Sequence, residues 1–137
     1  MGLDAKTLQR RQSLTDAVAA LEARYWDNEP IETLVAELAG SFDRIIADLW
    51  HQHFANTTGC ALFAVGGYGR AELHPGSDID ILVLAEKSKV HREAIEAFLR
   101  DLFDLNIEVG HSVRDIKTCV RECRLDITIA TALFERR

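Results

Sequence analysis

Leu14, Val18, Leu21 and Tyr25 recur at intervals of four, three and four, a single apolar stripe on a helix predicted over residues 6–26. Asp27-Asn28-Glu29-Pro30 interrupts the pattern, with Asn28 or Glu29 near the next helix start and Pro30 suited to a first turn. A second stripe, Ile31, Leu34, Leu38, Phe42, Ile45 and Leu49, predicts a helix from Ile31 to Phe54. The connection is short, so the two helices should pack antiparallel as a hairpin over residues 1–59. Nothing on this hairpin suggests chemistry, and it reads as scaffold.

Past the turn cluster Asn56-Thr57-Thr58-Gly59 the period changes. Cys60 to Val65 is a strand-like apolar run ending in Gly66-Gly67, and Tyr68 to Leu73 predicts a short helical turn with its N-terminus facing the glycines. Pro75-Gly76 is a turn, and Ile79 to Leu84 is a second apolar run. Val90 to Phe103 is amphipathic, with Ile95, Phe98, Leu99 and Leu102 on one side, and Asn106 to Val113 alternates again. This is a strand–helix–strand unit whose strands are either parallel, with a right-handed crossover, or antiparallel. Helices over Ile116–Arg124 and Ile127–Arg137 follow, with Asp115 and Asp126 where N-caps belong. The class is α+β: a core over residues 60–137 with a small mixed sheet, preceded by the hairpin.

The chemistry gathers in Leu62 to Leu84. Asp78 and Asp80, two apart on a strand, share a face. Adjacent carboxylates repel unless a cation lies between them, and hard oxygens at a strand end are what Mg²⁺ prefers. Gly66 and Gly67 permit close approach of the backbone to another group, and exposed N–H groups after a strand form an anion-binding concavity. Ser77 offers a cap or a hydroxyl for phosphate, and Arg70 either contacts a phosphate or pairs with Glu72. Glu108, between Ile107 and Val109, becomes a third metal-facing carboxylate if its strand neighbours that of Asp78 and Asp80; otherwise it lies on a half-exposed polar face. A glycine turn for phosphate beside a carboxylate pair for metal suggests metal-assisted transfer from a nucleoside triphosphate.

Composition narrows the partners. The 137 residues amount to one domain, or one with a helical extension, and a hydrophobic fraction of 47% is enough for a core. The balance of 16 basic and 22 acidic residues, net −6, argues against nucleic acid, whose backbone demands clustered Lys and Arg. No apolar run spans a membrane, and the start lacks the apolar core of a signal peptide. Met1-Gly2 is not a myristoylation signal, because Lys6 stands where Ser or Thr is wanted. Cys60, Cys119 and Cys123 form no even framework, as expected in a reducing cytoplasm. Cys119 and Cys123 with His111 lack the spacing of a zinc site and read as small buried apolar residues; His51 and His53 are read the same way.

A Gly-Gly turn, Asp-x-Asp on a strand and a later lone carboxylate resemble the nucleotidyltransferase superfamily that includes DNA polymerase β. Residues 65–80, VGGYGRAELHPGSDID, are more closely similar to the PII uridylyltransferase/uridylyl-removing enzymes of bacterial nitrogen control, as are residues 107–114, IEVGHSVR, and 126–133, DITIATAL. The resemblance runs from about Leu62 to the end, more weakly over the hairpin. It implies a nucleotidyltransferase core in which Gly66, Gly67 and Ser77 hold the triphosphate of UTP. It further implies that Asp78 and Asp80 bind two Mg²⁺ ions, with Glu108 completing the second site. The acceptor it implies is a tyrosine of the PII signal protein, with release of pyrophosphate.

Such enzymes are multifunctional and several times longer, and carry helical, HD-type hydrolase and sensory ACT domains. No His-Asp dipeptide occurs here, so the expectation is a truncated chain without the removing activity, with self-association through an uncovered face. Three other readings compete: the same core with another base or acceptor, such as adenylyl transfer to glutamine synthetase; an inactive nucleotide-binding or regulatory module; and a toxin-like minimal nucleotidyltransferase.

Overall fold

A computed structural model describes residues 2–134, 136 and 137. The first helix, α1 (Ala5–Trp26), starts where Asp4 accepts a 2.7 Å hydrogen bond from the Thr7 amide. Beyond it Asn28 takes a left-handed φ of 63°, and Pro30 stands at the N-cap of α2 (Ile31–Phe54), one residue earlier than a first-turn proline. The hairpin is tied at both ends. Arg10, 8% exposed, donates to Asp48 at 2.6 Å and to Gln52 at 3.1 Å. At the connection Arg24 clasps Glu29 and Glu37, which hold its guanidinium pKa well above the ordinary value.

The sheet has the order β1-β2-β3, with β1 (Cys60–Ala64) antiparallel to β2 (Ile79–Ala85), and β2 parallel to β3 (Val109–Asp115). A 3-10 turn at Ser88–His91 leads into α4 (Arg92–Phe103), which makes the crossover between the parallel strands. The open choice between parallel and antiparallel neighbours is thus resolved as parallel. Being central, β2 is buried along nearly its whole length, which is why its sequence is continuously apolar after Asp80.

One apolar core joins hairpin and sheet. Phe98 of α4 is completely buried and meets Trp50 and Phe54 of α2 edge-on, at ring separations of 5.2 and 6.4 Å. Leu34 and Leu49 from α2, Val83 from β2 and Leu102 from α4 are also almost fully buried.

Several expected boundaries move. The helix expected from Val90 begins at Arg92, because the preceding residues form the 3-10 turn. The third strand begins at Val109 instead of Asn106, since Asn106 takes a φ of 59° and its amide bonds back to the Phe103 carbonyl to close α4. After β3 come α5 (Ile116–Leu125) and α6 (Ile127–Phe134). Asp126 accepts from the Thr128 amide at 2.8 Å as a capping residue does. Asp115 stands at the N-cap position of α5, but its side chain makes no capping bond; its carboxylate accepts the Ser88 amide at 2.6 Å and so fastens the 3-10 turn to β3. The helix expected to run to Arg137 ends at Phe134, and Arg137 exchanges two 2.9 Å backbone hydrogen bonds with Ala64 at the free edge of β1. No helix among the described residues is long and apolar enough to cross a membrane.

Phe98→Ala should cost about 3–5 kcal/mol, the usual range for truncating a fully buried phenylalanine. Urea unfolding followed through Trp50 fluorescence measures it, and a loss below about 1 kcal/mol would mean that the α2–α4 junction is not the centre of the core.

Candidate active site

The register between β2 and β3 assembles the site. Asp80 lies opposite Gly110, and the Ile79 amide donates to the Glu108 carbonyl at 2.9 Å. Asp78 and Glu108 therefore occupy the residues just before two adjacent parallel strands, side by side. Their carboxyls are within hydrogen-bonding reach, and Asp78, through that bond and then its charge, raises the pKa of Glu108. Burial chiefly, and then the Asp78 charge, raises that of Asp80. The expectation that Glu108 neighbours the Asp-x-Asp strand is met, although neither Glu108 nor Asp78 is inside a strand.

Two glycines make room for Asp80. A Cβ on Gly110 would fall 2.4 Å from its Oδ1, and one on Gly66 would fall 3.1 Å from its Oδ2. The carboxylate is thus held between the backbones of β3 and the glycine turn. Gly66 has a φ of +62°, a second reason for glycine there. The Val65 amide donates to the Asp80 carbonyl at 3.0 Å, so turn and strand are also joined through backbone.

Gly66 and Gly67 lie within a four-residue helical turn, α3 (Gly66–Gly69), earlier than the turn expected over Tyr68–Leu73. Ala71, at a φ of 57°, stops it. Val65 at its N-cap has no side-chain acceptor for the first amides. Tyr68, 3% exposed, donates its hydroxyl to Asp43 of α2 at 2.6 Å; burial and then this partner push its pKa far up. The Arg137 guanidinium lies 5.0 Å from the centre of the Tyr68 ring, donates to the Tyr68 carbonyl at 2.8 Å and pairs with Asp43. This anchor fixes the glycine turn to the scaffold. Sequence reasoning missed it along with Gly110, whose only hint was a glycine two residues past Glu108.

Arg70 pairs with Glu72 at 3.2 Å, one of the two options left open for it. Ser77 accepts the His74 amide at 3.3 Å. Both line a cavity of about 470 Å³ together with Gly67, Asp78 and Asp80, whereas Gly66 and Glu108 do not line it. Among the described residues no three His, Cys, Asp or Glu side chains are grouped tightly enough to enclose a metal ion: Asp78 and Glu108 face each other while Asp80 lies against its glycines. The donor set is nonetheless that of a hard divalent cation, carboxylate oxygens with a repulsion that a cation would relieve. Cys119, by contrast, is a buried free thiol next to the free thiol of Cys123, while His111 stands against Phe103; these do not converge.

A family profile described as a nucleotidyltransferase domain matches residues 46–135. The chain is 42% identical over 130 residues to the bifunctional uridylyltransferase/uridylyl-removing enzyme of Pseudomonas entomophila and equally to that of Azotobacter vinelandii, and 39% identical to that of Pseudomonas fluorescens. Each match covers 93% of this chain and 14% of the relative, so the chain spans about a seventh of the length of these enzymes.

Gly110→Ala should displace Asp80 and cost about 1–3 kcal/mol, as overpacking does. In an Asp80→Ala background the same change should cost much less, and equal costs in the two backgrounds would separate Gly110 from Asp80. A second test uses pH. Glu108 gives up its proton less readily folded than unfolded, so the folded chain binds the extra proton and stability falls as pH rises through that window. Glu108→Gln should therefore melt above the wild type at pH 7, the gap closing below the ordinary glutamate pKa of about 4.3; a gap independent of pH would contradict the repulsion.

Proposed function

The chain belongs to the nucleotidyltransferase domain family, and from that premise we propose that it is the transferase core of a uridylyltransferase. Its proposed reaction moves UMP from UTP to a tyrosine hydroxyl of the PII signal protein and releases pyrophosphate. The observation that carries this reading is the seating of Asp80 between Gly110 and Gly66 of the glycine turn, with Asp78 and Glu108 side by side at the starts of adjacent strands.

Asp78, Asp80 and Glu108 would hold the Mg²⁺ ions, which when bound supply charge neutralisation for the attacking and leaving oxygens. The chain's own residues do the rest. Gly66 and Gly67 let the triphosphate approach the backbone, with Arg70 and Ser77 at the edge of the same cavity. The acceptor oxygen bonds to the α-phosphorus as the bond to pyrophosphate breaks. Its proton passes to a nearby carboxylate such as Glu108. A tyrosine hydroxyl, with an ordinary pKa near 10, needs such help. The free thiols of Cys60, Cys119 and Cys123 suit a cytoplasmic setting.

Calorimetry with UTP, ATP, CTP and GTP, with and without Mg²⁺, tests the reading. The expected result is Mg²⁺-dependent binding that prefers UTP and is weakened at least tenfold by Asp78→Ala. Absence of nucleotide binding would overturn the assignment, and equal binding of all four would remove the uridylyl specificity from this domain.

A further inference from the structure

Among the described residues, exposed apolar side chains gather at two places that carry opposite charge. The first is the closed end of the hairpin. Trp26 is 78% exposed and meets the exposed Tyr25 edge-on at 5.5 Å, and Ile31 at the start of α2 is exposed as well. Residues 22–37 contain five carboxylates and one cation, and that cation, Arg24, is already clasped by Glu29 and Glu37. The other three carboxylates, Glu22, Asp27 and Glu32, are exposed. Glu22 stands one helical turn before Trp26, on the same side of α1.

The second place is the outer side of α5 with the start of α6. Ile116 and Val120, four apart, are exposed, and Leu125 and Ile127 are 81% and 82% exposed. Lys117, Arg121 and Arg124 recur at intervals of four and three beside them and are exposed too. Glu122, the one carboxylate in the sequence of α5, pairs with Arg114, and Asp126 is tied to the Thr128 amide as a cap. This face is therefore basic around an aliphatic centre. Both places are exposed, so they do not cover each other within one chain.

We propose that the two faces bind each other between copies, the hairpin end of one chain seating on the α5–α6 face of a second. Charge complementarity selects this occupant. Two hairpin ends repel one another, and so do two α5 faces, whereas the unlike pairing is attractive. The apolar parts also match. Exposed tryptophan and tyrosine are the side chains that anchor interfaces, and Leu125 and Ile127 offer them aliphatic surface. An anionic membrane would fit the α5–α6 face alone and leave the hairpin end without a use. Because the two faces differ, the contact is heterologous: a pair of chains either closes by making it twice or still offers one free face of each kind. A few apolar side chains within a charged rim make a reversible association and not an obligate one. The inference goes beyond the transferase reading and is independent of it, since neither face includes Asp78, Asp80 or Glu108.

Sedimentation of the full chain over a wide concentration range tests the contact. The wild type should associate reversibly, and about threefold or more weakly when salt is raised from about 0.1 M to about 0.5 M. Trp26→Ser with Glu32→Ser removes the hairpin face, and Arg121→Ser with Leu125→Ser removes the α5–α6 face. Each double variant alone should be monomeric where the wild type associates. Mixed in equal amounts they should form a species of two chains and nothing larger, because one intact face of each kind remains. All four positions are exposed, so both variants should melt with the wild type; Trp26→Gln and Arg121→Gln replace either one that does not. A monomeric wild type, a variant that associates like the wild type, or a mixture that stays monomeric would each rule the contact out. Binding to phosphatidylserine vesicles that needs Arg121 and Leu125, without association between chains, would rule it out in favour of a membrane. Calorimetric UTP affinity should stay within about twofold in every variant, so failure of the transferase reading and failure of this contact are distinct results.

Discussion

The parallel pairing of β2 with β3 is the constraint on which the site depends. Its register sets Asp80 against Gly110 and brings Asp78 beside Glu108. A slip of one residue would put a side chain against Asp80 and turn Glu108 away, because alternate residues face opposite sides of a sheet. A parallel pair needs a crossover, and α4 supplies it, docking on α2 through Phe98. The carboxylate cluster is therefore positioned by apolar packing on the far side of the sheet.

That arrangement sets stability against function locally. Asp78 raises the pKa of both of its neighbours, so the cluster is unfavourable in the ionised state without a counter-charge. The scaffold compensates elsewhere, with the buried Arg10 tied to Asp48 and Gln52 and with Tyr68 bonded to Asp43. The latter also determines where the glycine turn sits. Gly66 and Gly67 are flexible as residues, yet the next residue is locked into α2 and covered by Arg137, so the turn approaches the site along one path.

Much of this was legible in the residues alone. The stripes of α1 and α2 predicted both helices almost to the residue, because an amphipathic face on a long helix is a strong periodic signal. Asp78 and Asp80 stand out in the sequence because two carboxylates share one face at a strand start, and Glu108 because it is a charge between Ile107 and Val109. The misses have a common physical origin. Asn106, Ala71 and Asn28 adopt left-handed conformations that no periodicity announces, and the first two ended elements where the pattern ran on. Gly110 was invisible because its contribution is an absent atom, and the Tyr68–Asp43–Arg137 anchor because its members are far apart in the chain.

The hairpin shows why a segment without chemistry of its own need not be without influence on it. Its inner face is used twice: α2 buries Leu34, Leu38 and Leu49 in the common core, while α1 turns Leu14 and Val18 toward the segment that carries Glu108. A helix added only for stability would close against that segment and leave no space, since protein interiors pack to crystal-like density. Here a cavity of about 620 Å³ stays open between them, bordered by Ser77 and Glu108. The two-helix scaffold and the segment that carries Glu108 thus stand side by side, with Ser77 and Glu108 at the border of the space between them.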